Sequence, residues 1–276
     1  MSRKTCPLCP HHCSLSENQT GLCGARRNID GKITPINYGK LTAIALDPIE
    51  KKPLNRFYPG SSILSVGSFG CNLKCSFCQN HHISMAGEDD LETQYVKPEN
   101  LVSIAWDLRN RRNIGIAYTY NEPLVGYEYV MDCAKLAREK NLKNVLVTNG
   151  CFCQDPMKEL LPLIDAVNID LKGYTTEFYK KLGGDLEIVK NFIKLAAKYC
   201  HVEITTLIIP GENDGENEMR ELSGFISSVS SDIPLHVTRF FPNYKMRDKR
   251  PTEVGRVYGL ADIAREKLKY VYEGNC

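Results

Sequence analysis

Cys71, Cys75 and Cys78 stand together in Gly70-Cys71-Asn72-Leu73-Lys74-Cys75-Ser76-Phe77-Cys78-Gln79-Asn80, with the spacing C-x3-C-x2-C. Three thiolates in one loop can hold three irons of a 4Fe-4S cubane, and with no fourth cysteine close by they leave one iron open to bind another molecule. Zinc is the other chemistry this loop allows, with His81 or His82 closing a tetrahedron. A second group, Cys6, Cys9, Cys13 and Cys23, has the spacing C-x2-C-x3-C-x9-C. Four thiolates there read as structural zinc or as an auxiliary iron-sulfur cluster, and spacing does not separate the two. His11 and His12 are spare donors beside them. Cys151 and Cys153 form a third, smaller group, a reduced structural pair or an extra metal or radical-relay site. Clustering of this kind points to metal ligands kept reduced in a cytosol, rather than to the disulfides of a short secreted scaffold.

These residues must be carried by a scaffold, and the chain pattern shows one. Short apolar, β-branched runs recur at Ile63-Leu64-Ser65-Val66, at residues 114–118, 144–147 and 166–169, from Val202 to Ile209, and at Leu235-His236-Val237. Each reads as a buried strand. Helical stretches lie between them, at residues 99–109, 126–139, 156–163, 186–198 and 217–229, so the alternation predicts right-handed βαβ units and a parallel sheet. Residues 268–272 are a candidate for one more strand. Six clear strands suit a partial barrel or an open doubly wound sheet, and both put chemistry at the strands' carboxyl ends. Polar residues do collect there: Cys71, then Tyr118 to Glu122, Asn149, Asp170 with Lys172, Pro210 to Asp214, and Arg239. Residues 1–35 show no helical or strand period and read as a small metal-held knuckle. Residues 36–60, with Pro48, Pro53 and Pro59, read as an extended connection over the surface, and residues 61–276 as the catalytic unit.

The loop Cys-Ser-Phe-Cys-Gln-Asn at 75–80 resembles the cluster motif of the radical S-adenosylmethionine (radical SAM) superfamily, and within it the activating enzymes of glycyl radical enzymes, such as pyruvate formate-lyase activating enzyme. The likeness runs from about residue 60 to 250. With the N-terminal Cys-Pro-Leu-Cys-Pro-His-His-Cys and the stretch Tyr118-Thr119-Tyr120-Asn121-Glu122-Pro123, the whole chain resembles the radical SAM member of the AmmeMemoRadiSam group. The resemblance implies an α/β partial (β/α)6 TIM-type barrel. It also implies a 4Fe-4S cluster on Cys71, Cys75 and Cys78, and S-adenosylmethionine chelated at the open iron and cleaved reductively to a 5′-deoxyadenosyl radical that takes hydrogen from a substrate. Phe77 is expected against the adenine, with Asn80 beside it. Glu122 is expected to meet the methionine amino group. The superfamily's Gly-Gly-Glu element is replaced here by Thr119-Tyr120-Asn121-Glu122, which lacks its glycines, so Tyr120 or Asn121 takes over that contact, or Asn121 simply stabilises a turn before Pro123. Asp170 and Lys172 share one strand face and meet the ribose hydroxyls or the methionine carboxylate, or form a plain internal ion pair. Asn149, Ile209 and His236 complete the cofactor-binding set, His236 being alternatively a satisfied core histidine.

Functions of other classes weigh less. A net charge of +2 gives no whole-molecule attraction to nucleic acid or anionic lipid, and the basic runs at 109–112 and 245–250 lack stacking aromatics. No segment approaches the ~18 apolar residues of a membrane span, and the opening Met1 to Thr5 runs straight into cysteines, so the expected location is the cytoplasm. A non-catalytic zinc-binding interaction module and radical modification of a small molecule are the competing readings; a glycine of a protein substrate is the activase-like one. The expected electron donor is a flavodoxin or ferredoxin, since residues 79–113 contain no cysteine for the two-cluster insertion common in activating enzymes.

Overall fold

The computed structural model describes residues 3–276; Met1 and Ser2, with which the expected cytoplasmic opening starts, lie outside them. Two short antiparallel pairs shape the N-terminal segment: β1 (Lys4–Thr5) with β2 (Ser14–Leu15), and β3 (Arg26–Ile29) with β4 (Lys32–Pro35). Asp30 and Gly31 join the second pair with both residues at positive φ, as a two-residue hairpin turn requires. β5 (Lys40–Leu41) pairs with β8 (Gln94–Tyr95) farther along the chain.

One eight-stranded sheet makes up the rest: β6 (Ala43–Pro48), β7 (Ser62–Gly67), β9 (Asn113–Tyr118), β10 (Lys143–Thr148), β11 (Ala166–Asp170), β12 (His201–Ile208), β13 (Leu235–Arg239) and β14 (Val271–Gly274). Its spatial order is β14-β13-β12-β11-β10-β9-β7-β6, so neighbours in sequence are neighbours in space. Within this sheet β7 and β9 to β14 run parallel, and β6 is antiparallel to β7. The helices are α1 (His81–Ser84), α2 (Pro98–Asp107), α3 (Tyr127–Glu139), α4 (Gln154–Leu160), α5 (Thr176–Leu182), α6 (Leu186–Ala196), α7 (Glu216–Val229) and α8 (Val254–Arg265). Their ends follow local chemistry: Asp185 accepts from the amides of Glu187 and Ile188 to start α6, and Thr175 accepts from Phe178 to start α5, which Gly183 ends in the left-handed region. Along α6, Leu186, Val189, Phe192, Ile193 and Ala196 are buried, the stripe a helix turns towards a sheet.

The parallel sheet expected from the alternation and the partial barrel implied by the resemblance are therefore present, with two strands beyond the six. β14 lies slightly later than the expected 268–272, and α5 and α8 add helices that the apolar pattern did not single out. The reading of residues 36–60 as a surface connection is corrected. Residues 43–48 form the edge strand β6, and the chain then turns inward, with Ile49 and Leu54 fully buried against Ile63, Ala117, Val145 and Ala166. The prolines bracket a single 3-10 turn at Ile49–Lys51 rather than holding the segment out, and the two apolar side chains drive it into the barrel's floor.

Candidate active site

A cavity of about 610 Å3 occupies the barrel. Cys71, Cys75 and Cys78 line it, as do Phe77, Asn80, Tyr120, Asn121, Glu122, Asn149, Asp170, Lys172 and His236, so nine of the ten residues singled out for the cofactor and all three of the loop cysteines meet in one space. Ile209 does not. It is fully buried and lies just past the end of β12 at Ile208, where its amide donates to Asn213, whereas Thr205 and Leu207, which share one face of the strand, line the cavity.

The cysteine loop is held from several sides. The Asn121 amide donates to the carbonyls of Phe69 and Gly70, at 3.1 Å each, and its oxygen accepts from the Ser68 amide at 2.9 Å. This side chain thus shapes the loop. The Leu73 amide points at Cys71 Sγ from 3.4 Å and the Asn149 amide from 3.7 Å. Phe77 is buried and lies parallel to Phe178, the ring centres 6.3 Å apart. Burial pushes the Cys75 thiol up to about 11, opposed by the charge of Lys172, and holds Cys71 well above the ordinary thiol range. Thiols placed so deep become thiolates when a metal supplies positive charge.

Glu122 is 3% exposed and accepts from the Asn149 amide and the Thr148 hydroxyl, both at 2.8 Å, and from the Leu124 amide at 3.1 Å. Desolvation raises its pKa to about 7 in spite of these donors. Tyr120 stands at φ 71°, a left-handed conformation that costs a bulky residue of order 1–3 kcal/mol. Its phenol donates to Asp47 at 2.6 Å, and the buried Lys52 ammonium pairs with the same carboxylate at 2.8 Å while lying 4.6 Å from the ring centre. Burial alone would raise Asp47, but Lys52 and Tyr120 outweigh it and bring it to about 2. Asp170 and Lys172 do form an ion pair, 2.8 Å long, on the cavity wall. Burial works against the Lys172 charge, yet Asp170 and Cys75 raise its pKa overall.

At the cavity's other end His236 Nε2 lies 2.6 Å from Glu203, and its ring stacks on Tyr272. Glu203 is fully buried and also meets His201 and the amides of Asn55 and Arg56. Burial pushes its carboxyl up, but His201, His236 and the Arg56 amide bring it down to about 2. Sequence reasoning passed over Glu203, Asp47 and Lys52. The signal available for Glu203 was a charged residue between Val202 and Ile204 on a buried strand, which must be paired. Cys151 and Cys153 do not line the cavity. Cys151 is fully buried, its carbonyl accepting from the Asn72 side chain and its thiol lying 4.0 Å from the Asp185 carbonyl oxygen, while the Cys153 amide donates to the Leu8 carbonyl of the N-terminal segment. Among the described residues no group of three His, Cys, Asp or Glu side chains is placed to bind a single metal ion. His81 stacks on Tyr244, and its Nδ1 lies 3.2 Å from the Cys78 carbonyl oxygen.

The sequence matches the Radical SAM superfamily over residues 65–222, more than half of the chain and the span that carries the cysteine loop and most of the cavity wall. The chain belongs to the radical SAM superfamily. It is similar, at 41% identity over 98% of its length and 80% of the relative's, to an uncharacterized protein of Methanocaldococcus jannaschii. At 25% identity, over 78% of this chain and 92% of the relative, it is similar to the pyruvate formate-lyase-activating enzyme of Clostridium pasteurianum. In fold it resembles SuiB of Streptococcus suis bound to S-adenosylmethionine, with a TM-score of 0.58 and 14% identity over 78% of this chain and 52% of that one. As a radical SAM enzyme it requires a 4Fe-4S cluster and S-adenosylmethionine. The cavity fits that pair: three thiols on one side, an apolar wall at Phe77 and Leu207, and carboxylate, ammonium and amide groups between them.

Proposed function

We propose that Cys71, Cys75 and Cys78 hold the catalytic cluster and that the enzyme takes a hydrogen atom from a glycine of a partner polypeptide. Bound together, the cluster and S-adenosylmethionine supply one-electron cleavage of a carbon-sulfur bond and a carbon radical able to abstract hydrogen. This chain's residues orient and shield that chemistry. Lys172, kept charged by Asp170, is suited to a carboxylate and Asp170 to ribose hydroxyls. Glu122 is suited to an amino group, with Asn149 and Thr148 fixing its direction, and Phe77 to the face of a purine. Tyr120 is turned to Asp47, and Asn121 serves the loop, so neither replaces the missing glycine contact through its side chain.

The observation that carries the polypeptide reading is where the cavity ends. Its lining includes Glu50 and Lys51, just past β6, and Glu273, Gly274 and Asn275 at β14, the two edges of the open sheet. A side opening between strand edges, lined by charges of both signs, suits a peptide loop better than a small apolar molecule. The similarity to an activating enzyme points the same way. The N-terminal cysteines, with Tyr118 to Pro123, support a place in the AmmeMemoRadiSam group. The division into a metal-binding knuckle at 1–35 and a catalytic unit belongs to this reading, with residues 36–60 now counted in the catalytic unit. So do a flavodoxin or ferredoxin donor and a cytoplasmic location; among the described residues no helix is long and apolar enough to cross a membrane.

The test uses reduced, reconstituted enzyme, S-adenosylmethionine and peptides carrying α-deuterated glycine. Deuterium appearing in 5′-deoxyadenosine is the expected result. Abundant unlabelled 5′-deoxyadenosine with every glycyl peptide, and label arriving only from a small molecule, would overturn the substrate class.

A further inference from the structure

The basic run at 245–250 takes no part in the cavity, whose lining includes none of residues 243–250. It lies against the other side of the cysteine loop. Along that loop Leu73, Cys75 and Phe77 line the cavity while Lys74 and Ser76 do not, and it is Ser76 whose carbonyl accepts from the Lys245 amide, at 2.9 Å. Tyr244, next in the chain, stacks on His81 with ring centres 4.4 Å apart. It stands at φ 49°, a left-handed conformation that a bulky residue keeps only where its surroundings enforce it.

Helix α5 borders the same loop from another direction. The Lys74 amide donates to the Leu182 carbonyl at the end of α5, at 2.8 Å, and Phe178 of that helix lies parallel to Phe77. Glu212 joins the two borders, its carboxylate holding Lys181 at 2.9 Å and Lys249 at 3.1 Å. The cysteine loop, α5 and residues 243–250 therefore make one continuous face.

That face is positive. Lys74, Lys180, Lys245, Arg247 and Arg250 are exposed, and among the described residues none of them is in a salt bridge, while Glu212 is spent on Lys181 and Lys249. Residues 243–250 alone carry four cations against Asp248, in a chain whose whole net charge is +2. The excess is thus gathered over the loop that bears Cys71, Cys75 and Cys78. Electron tunnelling weakens steeply with distance, and at Lys74 this loop itself reaches solvent between two of its cysteines.

We infer that this face is the docking surface for an acidic one-electron carrier protein. In the step it serves, the carrier's reduced centre loses one electron and the cluster on the three cysteines gains it, with no bond or proton transferred. Complementary charge speeds the encounter and sets the carrier's orientation over the loop. The opening between β6 and β14 is left free, so carrier and substrate can be bound at once. The inference rests on the radical SAM reading of the cluster and is independent of what the substrate is.

The test compares reduced flavodoxin, an acidic carrier, with dithionite, which needs no docking, on reconstituted enzyme carrying Lys180→Glu, Lys245→Glu and Arg247→Glu. Flavodoxin affinity in a binding titration and the flavodoxin-driven rate of 5′-deoxyadenosine formation should both fall about tenfold or more, with the dithionite-driven rate unchanged. Raising salt from about 50 to about 300 mM should weaken flavodoxin binding to the wild type and not to the variant. Unchanged flavodoxin binding, or an equal loss of rate with both reductants, overturns the inference. So does an equal loss of binding in Arg109→Glu with Arg111→Glu, a reversal in the other basic run. RNA released by the triple variant while flavodoxin stays bound overturns it in favour of a nucleic-acid face. Should that variant fail to fold, Lys245→Glu alone must weaken flavodoxin binding, and unchanged binding overturns the inference. Charge-dependent flavodoxin binding without cleavage by either reductant sinks the catalytic reading only.

Discussion

The two ends of the barrel cavity are built on different principles. At the cluster end Cys71, Cys75 and Cys78 come from one eight-residue loop, and the groups around them, Asn121, Glu122 and Asn149, spend their hydrogen bonds on that loop or on each other. At the floor Glu203 gathers His201, His236 and the amides of Asn55 and Arg56, which lie 148 and 147 residues before it. The first end is built for a cofactor's chemistry. The second ties the inward-turned segment after β6 to β12 and β13, and so closes the fold. Substitutions should therefore separate the two, costing chemistry at one end and stability at the other.

The largest effect is expected for Cys75→Ala, which should abolish cluster-dependent cleavage of S-adenosylmethionine while circular dichroism stays native. Loss of fold along with iron would break the distinction. At the floor, Glu203→Ala leaves two histidines and two amides without their acceptor, and by analogy with breaking other buried pairs it should cost about 3–5 kcal/mol in denaturant titration. The same carboxyl gives a pH signature. Because its folded pKa, about 2, lies below the ordinary 4.5, it contributes roughly 3 kcal/mol that is fully present at neutral pH. That contribution is lost as pH falls from about 5 towards 2. Glu203→Gln should flatten this part of the stability profile; an unchanged acid limb would remove Glu203 from the account. The smallest effect is expected at Tyr120→Phe, which keeps the ring and deletes only the bond to Asp47, at about 1.5–3 kcal/mol, hydrogen bonds to charged groups being the stronger kind. A loss of turnover without loss of stability would move Tyr120 from the scaffold to the chemistry.

The same contrast explains what could be read from the chain. The cluster loop was legible because its ligands are neighbours, and the wall residues were legible because strand ends in parallel sheets deliver polar groups to one rim. Asp170 and Lys172 could be paired from alternation alone, and the structure joins them. Residues 43–54 were misread because prolines suggest exposure, while the burial of Ile49 and Leu54 depends on Ile63, Ala117, Val145 and Ala166 meeting them across the barrel. The roles of Asp47 and Lys52 depend on the same long-range closure, and Tyr120 reaches them only by adopting a conformation that its residue type disfavours. Ile209 shows the limit of a resemblance: the segment is where it was expected, but β12 ends at Ile208, and Leu207 is the last residue of this segment to line the cavity.

The most direct measurement is the electron paramagnetic resonance spectrum of anaerobically reconstituted, reduced enzyme before and after S-adenosylmethionine. Direct chelation at the open iron predicts a changed signal from the cluster on Cys71, Cys75 and Cys78, absent in Cys75→Ala. A wild-type cluster whose spectrum ignores the added sulfonium compound would contradict the account.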